Sequence, residues 1–165
     1  MKKYFIALVL VALFSAALAQ TDNSLEVNLE AYIVSTQTKE DGNSEELFSA
    51  AETARPGQIV EYRVNVQNVS DQSLPANNAA VTGPIPAGTI YLADSASSDS
   101  ALLEFSADGG QSFSLPPVMM TVVNEEGEEI QVEAKAEDYT ALRWSISKTL
   151  EPQENLIFVY RVIVK

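Results

Sequence analysis

The stretch Ile59-Val60-Glu61-Tyr62-Arg63-Val64-Asn65-Val66-Gln67-Asn68 decides the fold class of this chain. Apolar and polar residues alternate along it with a period of two, which places the two kinds on opposite faces of an extended strand. The apolar face comprises Val60, Tyr62, Val64 and Val66. A Pro56-Gly57 turn precedes the stretch and a polar segment follows it. The pattern predicts a half-solvated antiparallel β-strand.

Further short strands are predicted on both sides of this one, with turn residues between them. They span residues 25–33, 89–93, 102–105, 118–123, 130–136, 142–146 and 156–164. The last of these is apolar on both faces and is expected to be central in its sheet. Residues 39–46 and 69–78 are predicted loops, whereas residues 47–53 fit either one helical turn or a short edge strand.

Turn chemistry completes the fold prediction. Two prolines within residues 81–88 cannot donate hydrogen bonds to a sheet, so this piece is predicted to be an edge or crossover segment. Gly127 is predicted to close a β-hairpin between residues 118–123 and 130–136. Eight or nine short strands without a sustained helical period predict an all-β fold, an immunoglobulin- or fibronectin-like antiparallel β-sandwich.

The first residues have the pattern of a secretory signal peptide. Met1-Lys2-Lys3 is basic, residues 4–13 are almost wholly apolar, and Ala17-Leu18-Ala19 has the form of a cleavage site. A transmembrane anchor is the alternative, but a span needs about 20 apolar residues. We expect a signal peptide over residues 1–19 and a single domain over residues 20–165, exported to the periplasm or the cell surface, or secreted, without membrane insertion after cleavage.

The composition excludes several classes of partner. The chain has a net charge of −13, and removal of Lys2 and Lys3 with the signal peptide leaves 8 basic against 23 acidic residues, a net charge of −15. Such a charge repels phosphate backbones and anionic lipids, so neither nucleic acid nor a membrane surface is expected as a partner. Because the chain has no Cys, its stability depends on packing rather than on disulfides.

Several motifs follow one another between residues 54 and 165. They are Pro56-Gly57-Gln58 before the alternating strand, Ala80-Val81-Thr82-Gly83-Pro84-Ile85-Pro86-Ala87-Gly88-Thr89, Phe105-Ser106-Ala107-Asp108-Gly109-Gly110, and Leu142-Arg143-Trp144 before a strand that ends in Val162-Ile163-Val164. In order and spacing they resemble the conserved repeat domain of bacterial and archaeal surface proteins, long catalogued as a domain of unknown function. The resemblance implies a non-enzymatic sandwich that serves as a stalk, a spacer or an envelope component.

The chain also differs from that family. It has room for a single copy of the domain, and Gly83 stands where the family has an aspartate. The hairpin of residues 118–136 is an insertion, and residues 20–53, with an extra strand, precede the similar part. We expect a specific function to reside in these two additions.

No catalytic constellation is visible in the sequence. Without His or Cys, the chain lacks Ser-His-Asp and Cys-His catalysis and Cys/His zinc sites. A Ser-Lys dyad with Lys39, Lys135 or Lys148 and a carboxylate pair are formally open, but no nucleophile motif surrounds these lysines. We expect a protein that is not an enzyme and has no cofactor.

Calcium binding is the strongest cofactor alternative, because calcium takes hard oxygen ligands. The weak candidates are acids in loops and at the hairpin tip, namely Asp94, Asp99, Asp108, Glu126 and Glu128. No segment has the spacing D-x-[DN]-x-[DN]-G, and Asp108 is explained by the turn that it begins. Solvated acids are therefore expected, and a calcium- or small-ligand-binding protein is the second functional hypothesis.

The aromatic residues divide into two groups. Those predicted to be core rather than a sugar-stacking platform are Tyr62, Trp144, Phe158 and Tyr160. Tyr32 and Tyr91 fall opposite the apolar residues beside them and are predicted to be exposed, which makes them candidate interaction residues together with Met119 and Met120. Asn68-Val69-Ser70 matches a glycosylation acceptor, and Asn68 is interpreted as a turn residue at the end of a strand.

Contact with an envelope or surface protein is the first functional hypothesis. Met119 and Met120 suit either packing or a partner surface, and packing is favoured. We expect a partner at the hairpin of residues 118–136 or at the strand of residues 25–34, where an exposed edge would accept another strand. The identity of the partner and the oligomeric state do not follow from the sequence.

Overall fold

The computed structural model describes residues 24–97 and 99–165. These residues form ten strands and no helix. The strands are β1 (Leu25–Thr38), β2 (Ser44–Ala50), β3 (Ile59–Asn68), β4 (Ala80–Pro84), β5 (Thr89–Tyr91), β6 (Ala101–Ser106), β7 (Met119–Val123), β8 (Glu129–Glu133), β9 (Ala141–Ile146) and β10 (Asn155–Val164). Nothing in this part of the chain is a helix long and apolar enough to cross a bilayer. The predicted signal peptide, residues 1–19, lies outside the described residues.

The strands form three antiparallel sheets. Five strands pair in the order β2-β1-β3-β10-β5, three in the order β4-β9-β6, and β7 pairs with β8 alone. The predicted all-β antiparallel architecture is thereby confirmed. The prediction that the last strand is central is confirmed as well, because β10 lies between β3 and β5.

The core lies between the five-stranded and the three-stranded sheets. Trp144 of β9 stacks on Phe158 of β10 with 5.3 Å between ring centroids, and Tyr160 of β10 stacks on Tyr62 of β3 at 5.0 Å. All four rings are at most 3 % exposed, as the alternation of their strands predicted. Burial raises the pKa of Tyr62, and its hydroxyl has no hydrogen-bond partner among the described residues.

The smaller sheet covers only part of the larger one. Phe105 of β6 contacts Tyr91 of β5, with 5.3 Å between ring centroids, and β9 packs on β10. β4 also lies against β10, where the Tyr160 hydroxyl donates a hydrogen bond to the Pro84 carbonyl. On the core face, exposed apolar side chains remain on β1 and β2, among them Val27, Leu29 and Leu47.

The sequence predictions need two corrections in strand content. Residues 39–46, predicted as a loop, already include the start of β2 at Ser44. Of the two alternatives for residues 47–53, the edge strand is confirmed, because β2 continues to Ala50 at the edge of the large sheet. The described residues contain ten strands rather than eight or nine. β2 forms despite its Ala- and Glu-containing sequence because β1 supplies a continuous row of backbone partners, and strand propensity depends strongly on such context.

Candidate functional site

β1 changes its pairing partners along its length. It pairs with β3 from Leu25 to Val34 and with β2 from Tyr32 to Thr38. Ala51, just after β2, still donates its N–H to the Ala31 carbonyl at 2.9 Å. From residue 25 to residue 30, β1 therefore has β3 on one side and no described strand on the other. We call residues 25–30 the open edge.

The direction of each backbone group at the open edge follows from two hydrogen bonds. Val69 donates its N–H to the Ser24 carbonyl at 2.8 Å, so even-numbered residues of β1 exchange hydrogen bonds with β3. The Ala51–Ala31 bond shows that odd-numbered residues point to the opposite side. The N–H and C=O groups pointing away from β3 at the open edge are accordingly those of Leu25, Val27 and Leu29.

Two side chains at the open edge are both apolar and exposed. Val27 is 51 % exposed and Leu29 is 37 % exposed, whereas their partners Val66 and Val64 on β3 are 0 % and 1 % exposed. The four side chains share one face of the sheet, but only the pair on β3 belongs to the buried core. The core face of the large sheet thus continues into solvent at the open edge.

A second row of unpaired backbone groups belongs to β4. Ile85 donates to the Thr140 carbonyl and Ile146 donates to the Ala79 carbonyl, so odd-numbered residues of this segment pair with β9. The backbone groups of Ala80 and Thr82 point away from β9. This row is short, because Pro84 has no N–H and ends it.

The opposite face of β1 carries polar side chains along the open edge and a packed aromatic ring, that of Tyr32, just beyond it. It carries Glu26, Asn28 and Glu30 along the open edge. Tyr32, predicted to be exposed, is half-buried: its ring lies 4.5 Å from the Arg63 guanidinium, and its hydroxyl donates to a Glu30 carboxylate oxygen at 3.0 Å. Tyr32 therefore packs on this outer face.

The prediction that Tyr91 is exposed is wrong. Tyr91 is 4 % exposed, because the register of β5 places it opposite Val162 on the core face of β10. Its ring contacts Phe105 and also Tyr139, whose centroid is 6.1 Å away. Burial raises the pKa of the Tyr91 hydroxyl, which accepts a hydrogen bond from the Ala96 N–H. Tyr91 belongs to the buried core.

The two methionines have different surroundings. Met119 is 53 % exposed, whereas Met120 is half-buried against the core, so the favoured packing role is confirmed for Met120 and wrong for Met119. The hairpin that contains them is attached at its base by buried Val118 and Ala134, joined by a hydrogen bond of 2.8 Å. Gly127, at φ 82°, makes the predicted turn at the tip.

A groove of about 360 Å³ separates this hairpin from the turn at Asp108. Its walls include Phe105, Asp108, Ser112, Met119, Met120 and Gln131. The structure therefore brings one predicted acid and both predicted methionines to one place. Polar atoms line most of the groove, and aromatic Phe105 lies at its buried side.

The Asp108 carboxylate is engaged by its own turn. It accepts hydrogen bonds from the Ser112 hydroxyl, from the Ser106 hydroxyl at 2.7 Å, and from the N–H groups of Gln111 and Ser112 at 3.0 Å. These bonds, those from Ser112 foremost, hold the pKa of Asp108 well below its usual range. The hydrogen bonds within the turn already engage the carboxylate oxygens that a bound cation would require.

The remaining acids do not converge in the described part of the chain. Asp94 lies in a turn at φ 61°, Asp99 lies in the loop before β6, and Glu126 and Glu128 donate their backbone N–H groups to the Asn124 side chain at the hairpin tip. Between residues 24 and 165, Ser98 aside, no three acidic side chains come together as a metal site.

Asn68 has the turn role that the sequence predicted. Its side chain is fully buried, donates to the Gln72 and Leu150 carbonyls at 2.8 and 3.0 Å, and accepts from the Ser70 hydroxyl at 2.7 Å. These bonds fix the loop that leaves β3.

Comparisons with known proteins add no relative. No protein-family model matches the chain, and neither a curated protein nor a solved structure matches it at a significant level.

Proposed function

We propose that this chain is an exported, non-enzymatic module of the cell envelope or cell surface that acts by contact with another protein. Export is supported by the signal-peptide pattern of residues 1–19. The motifs of residues 54–165, with their similarity to surface-protein repeats, support an immunoglobulin-like sandwich and the envelope setting. Two facing sheets joined by an aromatic core are compatible with that fold class.

The observation that carries this proposal is the incomplete cover of the large sheet. Val27 and Leu29 lie on the core face of β1 and remain exposed, and Leu47 of β2 is 43 % exposed. Apolar residues that continue a core face into solvent are typical of surfaces that another protein covers. They lie in the segment of residues 20–53 that precedes the family-like part.

Capture from envelope extracts tests this function. The mature chain, residues 20–165, is expected to retain a specific envelope protein, and the double variant Val27→Thr, Leu29→Thr is expected to lose it. Ile157→Thr is the matched control, because Ile157 is 53 % exposed on β10 away from the open edge. Equal capture by all three chains, or no capture by any, would remove the proposal.

The groove beside the hairpin favours a second candidate function, the binding of a small ligand. It is built from Phe105 at its buried side and from polar side chains such as Ser112 and Gln131. Fragment screening by NMR tests this candidate: resonances of Met119 and Met120 would shift on binding. Shifts confined to other parts of the chain would discard it.

A further inference from the structure

The open edge also indicates how a partner binds, an inference that rests on the proposed function. We propose that an extended segment of another protein, with alternating apolar and basic residues, adds to β1 as a further strand along residues 25–30. Three features of this segment carry the proposal: its backbone groups, its apolar face and its acidic face.

The backbone of the open edge provides a ready ladder. Leu25, Val27 and Leu29 each direct one N–H and one C=O away from β3. Such a row is a template for an incoming strand, and main-chain hydrogen bonds then supply affinity. The new strand would continue the line of β2, which ends at Ala50.

The exposed edges of β4 and β2 are less suited to accept an additional strand. β4 presents two residues, Ala80 and Thr82, before Pro84 ends the row. The outer edge of β2 is longer, but from Ser44 to Leu47 it pairs with a part of β1 that has passed the end of β3. Of these three edges in the described part of the chain, the open edge is the one that joins unpaired backbone to a face that continues the core.

The core face of the open edge determines the apolar positions of the partner. A strand paired with β1 alternates its side chains in step with those of β1. Residues that fall beside Val27 and Leu29 would cover these exposed side chains and extend the row begun by Val64 and Val66. Apolar residues at every second position meet this requirement.

The outer face determines the basic positions. Glu26 and Glu30 occupy that face of the open edge, and opposite charges directly across a strand pair are favourable. Residues 24–54 contain seven acidic residues and one basic residue, Lys39, which pairs with Glu45 at 2.8 Å. Glu30 lies opposite Arg63 of β3, and Glu46 pairs with Arg161 of β10, so Glu26 is the open-edge acid with no basic residue across from it on β3. A partner with Lys or Arg between its apolar residues complements this charge.

The same charges disfavour a second copy of the chain as the occupant. A symmetric antiparallel pair of two open edges about Asn28 would place Glu26 of one copy opposite Glu30 of the other. A net charge of −15 on each mature chain adds long-range repulsion. These charges favour a different, basic chain as the occupant.

Amide hydrogen exchange with a defined probe tests the proposal on the mature chain. The probe is a capped peptide of about seven alternating Lys and Val residues, a usual strand length. Bound peptide is expected to protect the amides of Leu25, Val27 and Leu29, while those of Ala80 and Thr82 keep their rates. A peptide with Glu in place of Lys is expected to give no protection.

Two variants distinguish strand pairing at the open edge from nonspecific binding of the peptide. Val27→Pro removes one N–H that points to the open edge and none that pairs with β3, so the sheet should persist while affinity for the probe falls about tenfold. Melting temperature reports whether the variant is folded. Glu26→Lys, which leaves the backbone intact, is expected to weaken the Lys-Val peptide and to admit the Glu-Val peptide.

Four results would overturn the proposal. The first two are protection by the peptide of the amides of Ala80 and Thr82 on β4, or of Glu46 and Phe48 on β2, in place of those at the open edge. The third is equal binding of the Lys-Val and Glu-Val peptides. The fourth is a free chain that sediments as a dimer and whose open-edge amides are already protected. If the envelope capture depends on Val27 and Leu29 while the peptide fails, the proposed function stands and this binding mode is wrong. If the peptide binds as stated but nothing is captured, the proposed function fails instead.

Discussion

Val27 lies directly opposite Val66 across β1 and β3, yet Val27 is 51 % exposed and Val66 is completely buried. The two residues share one face of one sheet, so the difference comes from what covers them. Val66 belongs to the buried core cluster, and Val27 does not. This contrast places the boundary between the core and the exposed surface within a single pair of residues.

The Val27–Val66 contrast predicts unequal costs of truncation. Val66→Ala should lower the free energy of unfolding by about 2 kcal/mol, because it leaves a cavity in a packed core. Val27→Ala should change it by no more than about 0.5 kcal/mol, as is usual for surface positions. Urea titration followed by Trp144 fluorescence measures both. Similar losses for the two variants would mean that Val27 is covered in solution.

Gly83 is predicted to resist any larger side chain. A Cβ at this position would lie 2.8 Å from Trp144 Cζ3 and 2.9 Å from Tyr160 Cε1, and both rings are fully buried. Gly83→Ala should therefore destabilise the chain by about 1–3 kcal/mol through overpacking. Thr82→Ala, at the exposed neighbouring position, is the control. An unchanged melting temperature for Gly83→Ala would contradict the close approach of β4 to the aromatic core.

The turn at Asp108 predicts a pH dependence of stability. Hydrogen bonds lower the pKa of Asp108 in the folded chain, so its contribution is present above the unfolded pKa of about 3.9 and is lost as the pH falls below it. Asp108→Asn should flatten the decline of melting temperature between about pH 5 and pH 2. Glu137→Gln, at an exposed position, provides the comparison. An acid decline as steep in Asp108→Asn as in the unchanged chain would contradict this role.

The fold is predictable from the sequence where apolar and polar residues alternate over many positions. β3 and β10 contain ten residues each, and their buried residues, such as Val64 and Tyr160, were assigned to the correct face. Gly127 marked the hairpin turn because a left-handed residue there favours glycine. These features depend on local periodicity and turn chemistry, which the sequence states directly.

The sequence predictions that are wrong or incomplete share one physical cause: these features depend on pairing between strands that are distant in sequence. β5 has three residues, too few for alternation to show which face Tyr91 occupies, and only its register with Val162 places that ring in the core. β2 is a strand because β1 pairs with it. The sequence indicated a strand near residues 25–34 as a place for a partner. Which half of it is unpaired depends on where β2 ends, at the pair Tyr32–Ala50.

Amide hydrogen exchange of the free mature chain, resolved by NMR, tests the central claim that residues 25–30 form an unpaired edge. We expect alternating rates: fast exchange for Leu25, Val27 and Leu29, and slow exchange for Glu26, Asn28 and Glu30, which pair with β3. Slow exchange at all six positions would show that the edge is already covered, and would contradict both the surface and the binding mode derived from it.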